Sequence, residues 1–205
     1  MKVEIKKTEV PYEYRFPDGR VFFRVEKAML SHERFDGTVS PEISRTNFNR
    51  GDGVGVILYS EEDEEVVLVE QFRYPVNASF PENQRDGKGW ILEIVSGIKD
   101  ADGQAVARRE LFEETGYHLK GPLEHLSTFY VSPGGTSERI ELYLARVKKV
   151  EGILKEAGIS SEAEDIRTHV VPFEKALKMI DEGGIVDGKT IIALLMLKER
   201  VGERD

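Results

Sequence analysis

Residues 97–117, GIKDADGQAVARRELFEETGY, carry the strongest local pattern in the chain. From Asp102 to Thr115 there is no proline, helix formers crowd the second half, Ala107 and Leu111 lie four apart on one face, and Gly116 stands as a stop. That predicts a helix. On it Glu110, Glu113 and Glu114 occupy relative positions 0, 3 and 4, which puts three carboxylates on one face within a turn. Like charges so spaced destabilise a helix by roughly a few tenths of a kcal/mol per pair unless something positive lies over them. Arg109 beside them cannot neutralise three acids, whereas Mg²⁺ can, because it prefers a few carboxylate oxygens together with water and substrate phosphate. Taken alone the pattern also fits a solvated acidic helix face, so the surroundings must decide.

Strands dominate the chain before this helix. Alternating runs at Tyr12 to Phe16 and Val21 to Val25, broken by Pro17-Asp18-Gly19, predict a hairpin. Two better strands follow, Gly53 to Tyr59 and Glu65 to Gln71, joined by the acidic turn Ser60 to Glu64. A polar loop from Asn77 to Gly89 and a strand from Trp90 to Val95 lead into the helix. Beyond it, strands Leu126 to Val131 and Ile140 to Val147 flank Ser132-Pro133-Gly134-Gly135, and an acidic loop covers Ser160 to Asp165. A strand from Arg167 to Val171 and helices Glu174 to Glu182 and Thr190 to Arg200 complete the chain. Strands mixed with three helices, without regular βα alternation, predict an α/β (α+β) layer structure. No repeat, low-complexity tract or long linker interrupts it, so the one division expected is a β arm over residues 1–47 before a domain over 48–205. Tyr12, Tyr14 and Phe16 are too many aromatics for a free two-stranded ribbon, which is barely stable alone, and they suggest a partner subunit. Phe72, Tyr74, Phe80 and Trp90 read as core, although one near a site could stack on a base.

Composition narrows the function. The chain has 205 residues and a net charge of −9, with 40% apolar and 33% charged residues, too apolar for a disordered chain. Its lack of cysteine removes disulfides, thiolate nucleophiles and Cys-based metal sites, leaving oxygen or imidazole to hold any metal. The longest aliphatic run, Ile191 to Leu197, is far below the ~20 residues that cross a bilayer, and the charged start has no secretory apolar region. A cytoplasmic protein with no membrane contact is expected. An acidic chain without a basic cluster repels nucleic acid, so a phosphate ligand would need a cation in between.

The string Gly97-Ile98-Lys99-Asp100 followed by Arg109-Glu110-Leu111-Phe112-Glu113-Glu114-Thr115-Gly116-Tyr117 resembles the Nudix box. Its second half matches that motif at every fixed position. Its first half departs, because Arg109 follows Gly97 after 12 positions, two short of the family pattern. The first Glu of the box has no clear counterpart; Asp102 is the nearest acid and Gln104 the nearest long side chain. Further runs, Arg34-Phe35-Asp36-Gly37, Arg50-Gly51-Asp52, Glu70-Gln71-Phe72-Arg73-Tyr74-Pro75, Leu92 to Gly97 and Ser132-Pro133-Gly134, look like the ADP-ribose pyrophosphatase branch. Pro133 lies 16 positions beyond Tyr117, where that branch has a proline, which favours a nucleoside diphosphate sugar over a triphosphate. Pro172-Phe173-Glu174 with Asp187-Gly188-Lys189-Thr190 also resembles the sister GDP-mannose hydrolases.

The resemblance implies a Nudix α/β/α sandwich with a mixed sheet, preceded by a small antiparallel arm that crosses over in a homodimer. It implies Mg²⁺-dependent hydrolysis of a diphosphate bond, with Mn²⁺ as a substitute ion and ADP-ribose, giving AMP and ribose 5-phosphate, as the favoured substrate. Glu110 and Glu114 would ligate Mg²⁺ with the backbone carbonyl of Ser96, Glu113 would stand beside them, and Arg109 would orient the glutamates. From the late acidic loop come Glu162 as base and Glu164 as further ligand, although a solvated loop fits the same residues. Arg73 resembles a residue that touches the diphosphate or its ribose, and Glu93 one near the nucleoside; with Pro133 and Gly134 they form the substrate-binding set, and each of the first two could instead be structural. GDP-mannose or another nucleotide sugar is the alternative substrate, and a binding module that senses a nucleotide without cutting it is the competing class.

Other motifs carry less. Gly183 to Thr190 satisfies the P-loop pattern, but it follows a helix rather than a buried strand, so a helix-to-helix turn is expected. His32, His118, His125 and His169 show no metal-ligand spacing.

Overall fold

The computed structural model describes residues 1–158 and 165–202, in two compact units. The first holds Met1–Asp52 and Tyr130–Arg139. Its antiparallel sheet runs β1 (Val3–Arg15), β2 (Val21–His32), β3 (Ile43–Asn49) in that order. The expected hairpin is there but much longer than the alternating runs. Its turn closes where Gly19 takes φ 88° and the Asp18 carboxylate accepts the Arg20 N–H at 2.9 Å. Phe23 lies against Tyr14 and Phe48, with ring centres 5.8 and 4.9 Å apart. Every residue of β1 is nevertheless exposed. The segment Tyr130–Arg139 is bound to β3, where Asn47 accepts the Ser137 N–H at 2.8 Å and the Thr136 hydroxyl donates to the Phe48 carbonyl at 2.7 Å.

The second unit is the mixed α/β layer structure that the order of elements predicts. Its strands are β4 (Gly53–Ser60), β5 (Glu65–Phe72), β6 (Trp90–Glu93), β7 (Val95–Ile98), β8 (Glu124–Tyr130), β9 (Arg139–Val147), β10 (Glu156–Ala157) and β11 (Ile166–Pro172). Its helices are α1 (Tyr74–Ala78), α2 (Gly103–Thr115), α3 (Phe173–Asp181) and α4 (Gly188–Gly202). The main path is β10-β11-β5-β4-β9-β8, with β4 and β9 parallel and the other pairs that involve β4 and β5 antiparallel. β4 is buried throughout, as its continuous apolar run requires of a strand covered on both faces. Val54, Val56 and Leu58 pack in one core cluster with Val106, Ala107 and Leu111 of α2. Ile57 and Tyr59 pack in the other with Ala176 of α3 and Ala193, Leu194 and Leu197 of α4.

Two expectations are corrected. The strand expected over Trp90 to Val95 is two strands with different partners: β6 pairs with β5 at Val69 to Phe72, and β7 pairs with β4 at Gly53 to Val56. β4 and β5 pair with each other only at Leu58 to Ser60 and Glu65 to Val67, so their far ends separate and admit β6 and β7 between them. Alternation along a strand reports its faces, not a change of neighbour, so the split is invisible locally. Phe72, Tyr74 and Trp90 are surface residues, 44%, 66% and 46% exposed, and not core. Short α1 and a 3₁₀ turn at Glu82–Gln84 fall around the segment read as a polar loop.

Candidate functional site

α2 begins where the Asp102 carboxylate accepts the N–H groups of Gln104 and Ala105, each at 3.1 Å, satisfying two of the donors a helix start leaves open. It ends where Gly116, at φ 72°, donates its N–H to the Phe112 carbonyl at 2.7 Å. The helix therefore spans the predicted residues. Its buried stripe through Val106, Ala107 and Leu111 continues to Glu114, which is only 5% exposed. A carboxylate in that position needs partners, and the Ser96 N–H donates to it at 3.4 Å.

Glu110 lies one turn earlier, over β7. A Cβ on Gly97 would collide with the Glu110 carboxylate, so only glycine lets that group reach the strand. Arg109 donates to Glu110 at 2.9 Å and to both oxygens of Asp100 at 3.0 and 3.2 Å, and its Nε lies 3.7 Å from Glu113. The hydrogen bond to Glu110, then the one to Asp100, hold the guanidinium pKa above its ordinary value. Ser96, Arg109, Glu110, Glu113 and Glu114 are thus brought together where β7 meets α2. The donors are hard oxygens, and a Gly97 Cβ would fill the cradle under Glu110, which fits a divalent cation of the Mg²⁺ kind. Among the described residues no three His, Cys, Asp or Glu side chains form a ready cage. Mg²⁺ does not require one, since it keeps several waters and takes one or two carboxylates.

A second polar group sits where β6 meets the start of α4. Arg73 donates through Nε and Nη2 to one oxygen of Glu93 at 2.9 and 2.6 Å, and Lys189 reaches the other oxygen at 2.8 Å. Glu93 is 3% exposed, so these two cations are what permit its charge there. Lys189 also pairs with Asp187 at 3.1 Å. The Thr190 hydroxyl donates to Asp187 at 2.6 Å and accepts the Ile94 N–H at 2.8 Å, which ties α4 to the crossing between β6 and β7. Gly183 to Thr190 is accordingly the helix-to-helix turn expected. Pro133 and Gly134 belong to the first unit, where Pro133 lines a concavity of about 380 Å³ with Thr46, Asn47, Tyr130 and Ser137. Glu162 and Glu164 lie outside the described residues.

Residues 49–193 match the NUDIX domain family. The chain belongs to that family. Among curated relatives of this Nudix chain, the GDP-mannose pyrophosphatase of Yersinia pestis (strain Pestoides F) is 34% identical over 174 residues, covering 84% of this chain and 83% of the relative. The ADP-ribose pyrophosphatase of Escherichia coli O6:H1 is 36% identical over 184 residues, covering 87% and 83%. A crystal structure of an ADP compounds hydrolase superposes with a TM-score of 0.68 at 17% identity, covering 100% of this chain and 96% of the other, and establishes the likeness of fold.

The resemblance read from the box is therefore borne out, and so is the Nudix fold. Local reading of this Nudix chain missed Lys189 and Thr190 as partners of the β6–β7 crossing. The signal was the Asp187-Gly188-Lys189-Thr190 run, whose polar residues look outward until α4 is placed. It also missed Lys99, Asp100 and Glu141, which meet their partners only in the fold.

Proposed function

We propose that the protein is a hydrolase that cleaves the diphosphate bond of nucleoside diphosphate sugars, with ADP-ribose yielding AMP and ribose 5-phosphate as the favoured reaction and Mg²⁺, or Mn²⁺ in its place, as the required ion. The observation that carries this reading is the buried Glu114 beside Glu110, one turn apart on α2 and set against Ser96 and the bare Gly97. The two relatives named for ADP-ribose and GDP-mannose support the substrate class. The GDP-mannose relative keeps that sugar nucleotide as the second reading.

Glu110 and Glu114, with the Ser96 carbonyl and Glu164, would hold the cation; Arg109 keeps Glu110 and Glu113 facing it. When bound, the ion lowers the pKa of a water and withdraws charge from the phosphorus. Glu162 takes the proton of the attacking water, a contribution of about 10²–10⁴ in rate for such a base. One P–O bond forms, the bridging P–O bond breaks, and the leaving phosphate oxygen is protonated from solvent. Arg73 already spends Nε and Nη2 on Glu93, which leaves its Nη1 edge for the diphosphate or ribose. Pro133 and Gly134 complete the substrate set, and the exposed β1 provides the surface for a homodimer. The protein acts in the cytoplasm, on a small molecule rather than nucleic acid.

Purified protein with Mg²⁺ is expected to release AMP from ADP-ribose faster than it releases nucleotide from GDP-mannose, UDP-glucose or diadenosine polyphosphates. No release from any of them would overturn the proposal. Calorimetric binding of ADP-ribose with no slow heat of hydrolysis over hours would establish the non-catalytic module instead.

A further inference from the structure

The loop leading into α2 lacks two residues of the family pattern and the box's first glutamate, yet it must set the spacing between Ser96–Gly97 and Glu110–Glu114. Its own residues show how it is held. After β7 the Asp100 N–H turns back to the Ile98 carbonyl at 3.0 Å, and the two neighbours Lys99 and Asp100 reach in different directions. Lys99 forms an ion pair with Glu141 of β9, with both side chains largely covered. The other oxygen of Glu141 accepts the Tyr143 hydroxyl at 3.1 Å. Asp100 instead binds Arg109, the residue that holds Glu110.

Gly103 shows that this arrangement is built in. It is the first residue of α2, and a Cβ there would collide with the Glu141 carboxylate and come within 2.6 Å of the Tyr143 hydroxyl. Its bareness lets a carboxylate of the neighbouring strand stand against the helix start, where the helix dipole favours negative charge. Tyr143 is pushed up to about 12, first by burial and then by its bond to Glu141.

We infer that Lys99, Glu141 and Tyr143 form a positioning device: they fasten the shortened loop to β9 while Asp100 fastens it to Arg109, and so set the cation-binding face of α2. This rests on the proposal that Glu110 and Glu114 hold a divalent ion. Supporting groups of this kind change metal affinity by about 10–100-fold when removed.

Mn²⁺ binding without substrate, followed by electron paramagnetic resonance, tests it. Lys99→Met and Glu141→Gln should each weaken Mn²⁺ binding by about tenfold or more and lower kcat by a similar factor. KM for the nucleotide sugar should stay within about twofold, and Lys99→Arg should restore both quantities. Amide exchange over Lys99–Asp102 should accelerate in the same variants. Unchanged Mn²⁺ affinity in Lys99→Met, whether or not its Tm falls, would overturn the inference. If Glu141→Gln fails to fold, Lys99→Met decides, because Lys99 lies on the loop outside both core clusters. Wild-type protein that binds no Mn²⁺ would overturn the cation proposal itself, a failure seen before any substitution.

Discussion

The α2 face and the β6–α4 corner are both polar groups set at ends of central strands, and they are balanced in opposite ways. On α2, Glu110 and Glu113 share the Arg109 guanidinium, and Glu114 is buried in line with the apolar stripe. At the corner, two carboxylates meet two cations within 3.1 Å, and the strand crossing is tied in by Thr190. On the reading proposed above the first takes a cation from outside, while the carboxylates of the second are met by Arg73 and Lys189. Substitutions on α2 should therefore damage activity more than stability, and substitution of Lys189 at the corner the reverse.

The largest expected effect is that of Glu114→Gln. The amide oxygen can still accept the Ser96 N–H, so the helix and core remain, but the anionic ligand proposed for the cation is lost. Stabilisation by a bound ion is worth several kcal/mol, so turnover should fall by at least about 100-fold, with Tm nearly unchanged. AMP release and thermal melting check both halves; equal activity would remove the metal assignment. Gly97→Ala comes next. Its methyl must displace the Glu110 carboxylate, which should lower activity by about 10–100-fold, with little loss of stability because the displaced atoms are the end of a flexible side chain. A crystal structure of the variant should show Glu110 turned from the strand.

Lys189→Met tests the other side of the contrast. Removing one partner from a buried ion pair costs about 3–5 kcal/mol when the remaining charge is orphaned. Arg73 stays on Glu93, so the loss here should be about 2 kcal/mol, or about 4–8 °C in Tm. A variant that keeps wild-type Tm but loses all turnover would break the comparison, placing Lys189 in the chemistry rather than the scaffold.

What could be read from the chain divides along the same line. α2 was legible because its stripe, stop and three glutamates are all set by spacing within one segment, whereas its Asp102 cap shows only in the structure. The corner was not, because Lys189 lies 96 residues from Glu93 and only the placing of α4 brings them together. Lys99 and Glu141 escaped likewise, 42 residues apart, each reading locally as an exposed charge. The β6–β7 split was hidden because pairing with two different strands leaves no mark on the alternation of either. The late acids Glu162 and Glu164 stand on the sequence pattern alone.

The smallest expected effect belongs to Tyr143, and its sign follows from its surroundings. The ring is buried, its hydroxyl donates to Glu141 on the same strand, Asp102 stands at the start of α2, Lys99 lies on the far side of Glu141, and His125 of β8 lies edge-on with ring centres 5.5 Å apart. Burial and the nearby carboxylates oppose a phenolate, so the folded protein holds this proton up to about 12 while the unfolded chain releases it near 10. A group whose folded pKa is raised contributes its full stabilisation below the unfolded value and loses it as pH climbs through the folded one. Stability from this residue should therefore be constant from neutral pH to about 10 and decline between about 10 and 12. Lysines titrate in the same window, so the measurement is the difference in urea midpoint between wild type and Tyr143→Phe at matched pH. That difference should be flat below pH about 10 and move toward the variant above it; a difference constant to pH about 12 would mean that the phenol ionises alike in both states and that Glu141 is held by Lys99 alone.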